Sequence, residues 1–285
     1  MSVGKFYDWR ERYGKTNRHN GWVQRYTSSF EVNNVNSVKD PKRLEKIYNA
    51  ALGELTHPDI PTRIVAANAY IFRSVEMDYL PGPPASGYVS RLKANLALQA
   101  YDQYKDRNRW SGASQTPTVP SSGGIYFSLQ QQALVNEIRH YGGPDADIAL
   151  LNRPILKIRV NRILKLIDLT ETNPEARNFA SRVLQRAGLL SSESFVPLNV
   201  VQWYRFFAED DCSIPRGVGL AIAASKIYDG LIVPTVRFSE RSSFERGDNL
   251  VLFAPDNVPY PGLFAEEAFY FSTNTLIARY PVQFP

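Results

Sequence analysis

Alternating apolar and polar positions along the chain predict a mixture of helices and strands. The segment DPKRLEKIYNAALGEL predicts a helix with Asp40 as its cap and Pro41 in its first turn. Further helices are expected in YVSRLKANLALQAYDQYK, QQALVNEIRHY, PEARNFASRVLQRAGL, VVQWYRFFAEDD and GVGLAIAASKIYDG. Strands are expected within RIVAANAYIFRSVEMDYL, GGIYFS, ILKIRVNRILKLIDLTE, GLIVPTVRF and NLVLFAP. Their irregular alternation favours an α+β fold over a regular parallel βαβ arrangement.

One carboxylate falls on the apolar face of a predicted helix. Successive residues of a helix are rotated by ~100° about its axis. If the helix begins near Gln130, this rotation places Glu137 within its apolar face. The apolar residues of that face are Ala133, Leu134, Ile138 and Tyr141. A carboxylate in this position either pairs with a buried arginine for structural reasons or takes part in chemistry.

Composition and charge divide the chain at about residue 64. Residues 1–64 carry 11 Lys and Arg against 7 Asp and Glu, whereas the remainder is close to neutral. We therefore expect a basic, aromatic and mainly helical N-terminal extension over 1–64 and a main domain over 65–285. Within the main domain, DRNRWSGASQTPTVPSSGG predicts a long loop, and loops of this length often carry function.

The overall composition is that of a globular protein. The chain has 285 residues, of which 44% are hydrophobic, so a sizeable core is expected. No apolar run reaches the ~18 residues that a membrane span needs. The first residues, MSVGKFYDWRERYGK, lack the apolar stretch of a secretory signal. These features predict a cytoplasmic protein without a membrane segment.

Metal and nucleic-acid sites are not expected. The single cysteine, Cys212, cannot form an intramolecular disulfide or a cysteine zinc site, and the three histidines are far apart in sequence. The basic N-terminal segment mixes both signs of charge and contains no known nucleic-acid reader motif.

Six segments, in order, carry a resemblance to a known family. They are AYIFRSVEM, NRWS, GGIYFSLQQQALVNEI, LIDLT, YDGLIVPTVRF and NLVLF, and they span about residues 66–255, roughly two thirds of the chain. The ordered set resembles the RES-domain family, which is named for its Arg, Glu and Ser and includes NAD-consuming toxins. The resemblance implies a fold related to ADP-ribosyltransferases, a split β-sandwich that holds NAD between two sheets. It also implies cleavage of the bond between nicotinamide and ribose.

The resemblance assigns cationic and aromatic residues to NAD. Arg73 and Arg109 match the two family arginines, and a guanidinium fork suits the pyrophosphate. For Arg73 a structural ion pair at a strand edge remains open. Tyr126 matches the family's strand tyrosine, although an isolated strand tyrosine is often a packing residue. Ser128 is expected on the same side of the strand as Tyr126, where it contacts the ligand or caps the following turn.

The remaining family positions complete the expected catalytic set. Glu137 would stabilise the oxocarbenium-like ribose that forms as nicotinamide leaves. Thr235 stands at the position of the family serine and retains its hydroxyl, with an added methyl group. Arg237, on the same face of that strand, is a weaker candidate for phosphate contact. Ser111 and Asn108 also depart from the family's Arg-Trp loop.

The acceptor of ADP-ribose would decide the reaction. Phosphate would make the protein an NAD phosphorylase, water an NAD glycohydrolase, and a protein side chain a mono-ADP-ribosyltransferase. We expect phosphate or water, with NAD as substrate, no metal, and an antitoxin or immunity protein that blocks the cleft. The alternatives are protein modification and an inactive binding module. An oligomer is compatible with the sequence.

Overall fold

The structure of the chain is a computed structural model. It describes residues 38–75, 80, 83–99, 109–142, 153–191, 196–207, 212–234, 247–254, 258–272 and 275–284. The chain divides into two compact units. Unit 1 comprises Met1–Pro61, Asp102–Ser122 and Glu171–Ile227, and unit 2 comprises Thr62–Tyr101, Gly123–Thr170 and Tyr228–Pro285. The described part of the predicted extension thus lies in unit 1 with two later segments of the chain, apart from residues 62–64.

The elements are numbered here in chain order. The helices are α1 (Pro41–Glu54), α2 (Arg91–Leu96), α3 (Gln131–Gly142), α4 (Pro174–Arg186), α5 (Val200–Phe207) and α6 (Ser213–Ser225). The strands are β1 (Thr62–Val65), β2 (Tyr70–Ser74), β3 (Val89–Ser90), β4 (Gly123–Ser128), β5 (Ile155–Val160), β6 (Leu164–Asp168), β7 (Gly230–Pro234), β8 (Asp248–Ala254), β9 (Leu263–Ser272) and β10 (Thr275–Gln283). The mixture confirms the α+β class.

Unit 2 contains a ten-stranded mixed sheet in the order β1-β6-β7-β8-β4-β2-β5-β9-β10-β3. The β6–β7 and β10–β3 pairs are parallel and the other pairs are antiparallel. In the middle of this order β2 pairs with β4 only at Phe72 and Ser128, whereas β4 pairs with β8 at six positions and β2 with β5 at five. This place, called here the β2/β4 junction, links two groups of five strands.

The two faces of the strands at the junction serve different apolar clusters. Ile71 of β2, together with Ile125 and Phe127 of β4, belongs to the large core of unit 2, which also includes Ala94 of α2. Phe72 of β2 lies on the opposite face and packs with the apolar side of α3. The α3 cluster consists of Leu134, Val135, Ile138, Ile155, Phe269 and Phe271. The single register pair at the junction therefore lies next to α3.

Unit 1 is built by α1, α4, α5 and α6. Asp40 caps α1 by accepting a hydrogen bond from the Arg43 amide, as the sequence predicts, and Pro41 opens the first turn. The helix packs closely on α6 at Gly217, where a Cβ would lie 2.8 Å from Ile47 Cγ2. The Glu54 carboxylate at the end of α1 accepts hydrogen bonds of 2.8 Å from Arg182 and Arg186 of α4. Apolar packing and ion pairs together hold these helices.

One sequence-based prediction of secondary structure is wrong, and two strands were missed. Of the helix expected over residues 88–105, residues 100–105 lie outside the described ranges, and the rest contains the short strand β3 followed by α2 at Arg91–Leu96. The long strands β9 and β10 were not predicted. A register shift opposite Lys157 and Ile158 breaks the alternation of β9, LFAEEAFYFS, and another between Leu276 and Ala278 breaks that of β10. Over the described ranges, no helix is long and apolar enough to cross a membrane.

Candidate functional site

Arg73 lies near the end of β2, at the β2/β4 junction. Its side chain is half-buried, and its Nη1 donates a 2.9 Å hydrogen bond to the backbone carbonyl of Tyr126 on β4. The guanidinium carbon also lies 5.6 Å from the centre of the Phe127 ring, within the range of a cation–π contact. The junction has one register pair, so this side chain supplies a hydrogen bond across it. The structure thus joins Arg73 to the predicted site strand.

The side chains of Arg73 and Tyr126 leave their strands on opposite faces. Phe72 and Ser128 are register partners and share a face, so strand alternation places Tyr126 on that face as well. Arg73, next to Phe72 in sequence, lies on the other face with Phe127. Arg73 therefore meets Tyr126 through its backbone carbonyl. A ligand that contacts both side chains must reach both faces at the junction.

Ser128 is fully buried and takes part in the turn that leads into α3. Its Oγ donates to the Gln130 carbonyl at 3.0 Å and accepts from the Gln130 amide at 3.3 Å. Gly247 also packs against this region, because a Cβ there would lie 2.1 Å from the Cβ of Ala133. Of the two roles expected for Ser128, the structure contains the turn-capping one. Contact with NAD stays a prediction.

Glu137 lies on α3, which begins directly after the turn that follows β4. The helix spans Gln131–Gly142, one residue later than the expected start, and Ala133, Leu134 and Ile138 are buried as predicted. The Glu137 side chain itself is half-buried, so it lies at the border of the apolar face and not within the core. The turn and the packed helix fix its position relative to β4 and β2.

Arg109 and Trp110 lie in unit 1, whereas Arg73, Tyr126, Ser128 and Glu137 lie in unit 2. Trp110 is 1% exposed, and its ring stacks on Phe207 with a centroid separation of 5.7 Å and an angle of 8°. Arg109 Nη1 donates to the backbone carbonyl of Phe207 at 3.3 Å. Both residues of the predicted Arg-Trp motif therefore bind the end of α5. A role of Arg109 toward pyrophosphate stays a prediction.

The loop after Trp110 is closed by backbone contacts. Gly112 and Ser122 exchange two hydrogen bonds, of 2.7 and 3.2 Å, which bring the two ends of the loop together. Gly219 of α6 lies against the same loop, and a Cβ there would lie 1.8 Å from the carbonyl oxygen of Trp110. Close backbone packing thus explains the glycine in α6 and orders the start of the predicted long loop.

The Asp-Gly turn before β7 has a structural explanation. The Asp229 carboxylate accepts hydrogen bonds from the Lys165 amide at 2.8 Å, the Tyr260 hydroxyl at 3.0 Å and the Arg162 guanidinium. Burial of the Tyr260 hydroxyl raises its pKa, and the negative charge of Asp229 adds a smaller rise. A Cβ on Gly230 would lie 2.0 Å from the carbonyl oxygen of Val251. The turn therefore holds β7 against its neighbours.

Thr235 and Arg237 lie outside the described residues. In the part of the chain that the structure describes, no group of three or more His, Cys, Asp or Glu could hold a metal ion. Sequence reasoning missed Phe127, although it lies beside Tyr126 in GGIYFS. Its contact with Arg73 depends on the pairing of β2 with β4, which are about fifty residues apart in sequence.

Comparisons of this chain with protein-family models, with curated proteins and with solved structures gave no significant match. The resemblance to the RES-domain family therefore stays a prediction from the six sequence segments. At the β2/β4 junction, the structure brings two of the predicted site residues, Arg73 and Tyr126, into contact.

Proposed function

We propose that the protein is a toxin-like enzyme of the RES type that cleaves the nicotinamide–ribose bond of NAD. The observation that carries the proposal is the convergence at the β2/β4 junction of Arg73, Tyr126 and the start of α3, the helix of Glu137. These positions match the family's Arg, Tyr and Glu, and Arg73 lies 53 residues before Tyr126 in sequence.

The strand arrangement also supports a split β-sandwich of the ADP-ribosyltransferase type. Five strands lie on each side of the β2/β4 junction, and a single register pair links the two groups. Two groups of strands that part at this place would form the cleft in which such folds hold NAD. Of the residues proposed for the chemistry, Arg73 and Tyr126 belong to the strands that border the junction, and Glu137 belongs to the helix that follows β4.

The proposal gives each residue that matches a family position a chemical role. The guanidinium of Arg73 binds the pyrophosphate of NAD, and the half-buried carboxylate of Glu137 faces the ribose, where positive charge develops as nicotinamide leaves. The ring of Tyr126 packs against the nicotinamide riboside. Thr235, which lies outside the described residues, would supply the hydroxyl of the family serine. The electron pair of the bond between ribose and nicotinamide leaves with nicotinamide, which departs as a neutral molecule. An oxygen of phosphate or water then bonds to the same ribose carbon, and water releases a proton to the solvent.

Loss of NAD would harm the cell in which the enzyme acts. We therefore propose a cytoplasmic site of action, in the producing cell or in a target cell, and a protein partner that blocks the cleft. The basic extension over residues 1–64 could serve such a partner or an oligomer.

A non-enzymatic binding module is a second candidate, and two contacts favour it. Arg73 already bonds to the Tyr126 carbonyl, and the Ser128 hydroxyl bonds to the Gln130 backbone. Polar groups engaged in this way would hold the sheet and the turn together without any substrate. This candidate predicts a stable protein with no turnover of NAD.

The proposed function is tested by incubating purified protein with NAD, with and without inorganic phosphate, and identifying the products by mass spectrometry. Nicotinamide with ADP-ribose 1-phosphate would establish a phosphorylase, and nicotinamide with ADP-ribose a glycohydrolase. Label from NAD on an added cell extract would indicate a protein acceptor. Absence of nicotinamide release under all three conditions would contradict the enzyme proposal and favour the binding module.

A further inference from the structure

The Arg73 guanidinium is held by two groups of the neighbouring strand. The Tyr126 carbonyl accepts a 2.9 Å hydrogen bond from Nη1, and the Phe127 ring lies 5.6 Å from the guanidinium carbon. A carbonyl fixes one N–H direction, whereas an aromatic face restricts the plane of the guanidinium. Together they limit both the position and the tilt of the charged group.

Phe127 is itself held rigidly. Its side chain is 2% exposed and belongs to the large core of unit 2, with Ile71 and Ile125 on the same side of the strands. A ring packed in this way keeps its orientation, because interiors are close-packed and leave few alternative rotamers. The fixed ring can therefore orient Arg73 whether or not a ligand is present.

We propose that Phe127 is a positioning residue, which orients the Arg73 guanidinium for the pyrophosphate of a dinucleotide before that ligand binds. This inference rests on the proposed function, since it concerns the same site. An arginine side chain that is free in solution loses rotamer entropy when it binds an anion, and a side chain already oriented loses less. Phe127 thus acts on affinity through Arg73 and does not touch the ligand.

The test is a double-mutant cycle of Phe127→Leu and Arg73→Gln, with ADP-ribose as the ligand in isothermal titration calorimetry. ADP-ribose carries the pyrophosphate but no nicotinamide, so binding is measured without the cleavage step. Leucine keeps the position apolar and removes the aromatic face, and glutamine removes the cation. Ile125→Val, on the same strand and face, is the control for a lost core group, and thermal unfolding is measured for every variant.

We expect Phe127→Leu to weaken ADP-ribose binding about fivefold, the scale of one partly desolvated cation–π contact. In the Arg73→Gln background, the same change should alter affinity by less than about twofold, because coupled residues are not additive. Ile125→Val should leave affinity unchanged. Methionine has about the volume of leucine but a more flexible, unbranched side chain, so Phe127→Met provides a second variant if Phe127→Leu folds poorly.

Three results would overturn the inference. Unchanged affinity in Phe127→Leu or in a folded Phe127→Met, with normal binding by the wild type, would remove Phe127 from the site and leave the proposed function standing. Equal weakening in the two Arg73 backgrounds would show that Phe127 acts independently of Arg73. If the folded wild type binds neither ADP-ribose nor NAD, the proposed function itself is contradicted.

Discussion

At the scale of single residues, Arg73 combines a structural contact with a proposed binding role. Its hydrogen bond to the Tyr126 carbonyl supports the β2/β4 junction, and its fork geometry suits a pyrophosphate. The two roles make different demands on the side chain. A lysine could still donate one hydrogen bond to the carbonyl, but it cannot provide the planar bidentate fork.

We therefore expect Arg73→Lys to weaken NAD binding about tenfold, equivalent to the ~1.5 kcal/mol of one charge-assisted hydrogen bond. Isothermal titration of ADP-ribose, which carries the same pyrophosphate and is not cleaved, measures the change. Arg159→Lys is the matched control, because Arg159 is another strand arginine of unit 2 and pairs with Glu266. Normal affinity in Arg73→Lys would return Arg73 to a purely structural role.

Gly219 provides a test of close packing at the Arg-Trp motif. A Cβ at this position would lie 1.8 Å from the Trp110 carbonyl oxygen, so α6 or the loop must move to accommodate Gly219→Ala. We expect the free energy of unfolding to fall by about 2 to 3 kcal/mol, as measured by denaturant titration.

The matched control for this change is Gly53→Ala in α1. Its added Cβ would meet the end of the Arg186 side chain at 2.9 Å, which can shift, and alanine is the better helix former. Gly53→Ala should therefore be tolerated. An equal loss of stability in both variants would contradict the importance of the Trp110 contact.

The residue scale also shows a limit of sequence reasoning. Helical periodicity is local, so α3 begins within one residue of its expected start, but Glu137, which the sequence placed within the apolar face, is half-buried at its border. The contact of Arg73 with Phe127 could not be predicted, since it depends on the pairing of distant strands. Nor could the sequence show that Arg73 and Tyr126 leave their strands on opposite faces.

At the scale of elements, Glu54 links α1 to α4 through two arginines. The Glu54 side chain is 11% exposed and that of Arg182 is 17% exposed, whereas the Arg186 side chain is 55% exposed. Removal of one partner of a largely buried pair leaves an uncompensated charge, but an exposed pair contributes little. The two arginines therefore differ in importance although both contacts are 2.8 Å.

We expect Glu54→Gln to lower the free energy of unfolding by about 3 kcal/mol, because Arg182 would lose its carboxylate. Arg186→Ala serves as the control and should lower the free energy of unfolding by only about 0.5 kcal/mol. Denaturant titration of the two variants measures both changes. A larger loss in Arg186→Ala than in Glu54→Gln would contradict this view of the α1–α4 contact.

Asp248 at the start of β8 gives a pH dependence. Burial raises the pKa of Asp248, the hydrogen bond and charge of Arg63 lower it, and the charge of Asp168 raises it, with a net rise. A raised pKa in the folded state means that the protonated form folds more favourably. The contribution of this carboxyl to stability is therefore lost as the pH rises from the ordinary value of 3.8 through the raised value.

Asp248→Asn should stabilise the protein more at pH 7 than at pH 4, relative to the wild type, as measured by thermal unfolding. Asparagine cannot ionise, and its side-chain oxygen can still accept the hydrogen bond from Arg63. The exposed residue Glu175 provides the control Glu175→Gln for the loss of one surface charge. A stability difference that is the same at both pH values would rule out Asp248 as the source of the dependence.

The sequence predicted elements well where periodicity was regular and poorly where pairing decided the structure. The N-cap and proline signals placed α1, and a proline also opens α4. The sequence did not predict β9, because its register shift and the charged residues Glu266 and Glu267 interrupt the alternation of apolar positions. The helix expected over residues 88–105 includes β3, which becomes a strand by pairing with β10.

At the scale of the whole molecule, the division into units separates two kinds of architecture. The ten strands belong to unit 2 with α2 and α3, and unit 1 contains α1, α4, α5 and α6. Each unit is assembled from three separate stretches of the chain, so composition along the sequence cannot show the division. The proposed chemistry depends on unit 2, which contains Arg73, Tyr126 and Glu137.

The central claim is that Glu137, on the helix that follows β4, promotes cleavage of NAD. The measurement that tests it most directly is the rate of nicotinamide release from NAD by the wild type and by Glu137→Gln, at saturating NAD. We predict release by the wild type and a rate lower by ~10²-fold or more in the folded variant, the scale for loss of one positioned electrostatic group. Equal rates would remove Glu137 from the mechanism, and no release by the wild type would contradict the enzymatic account.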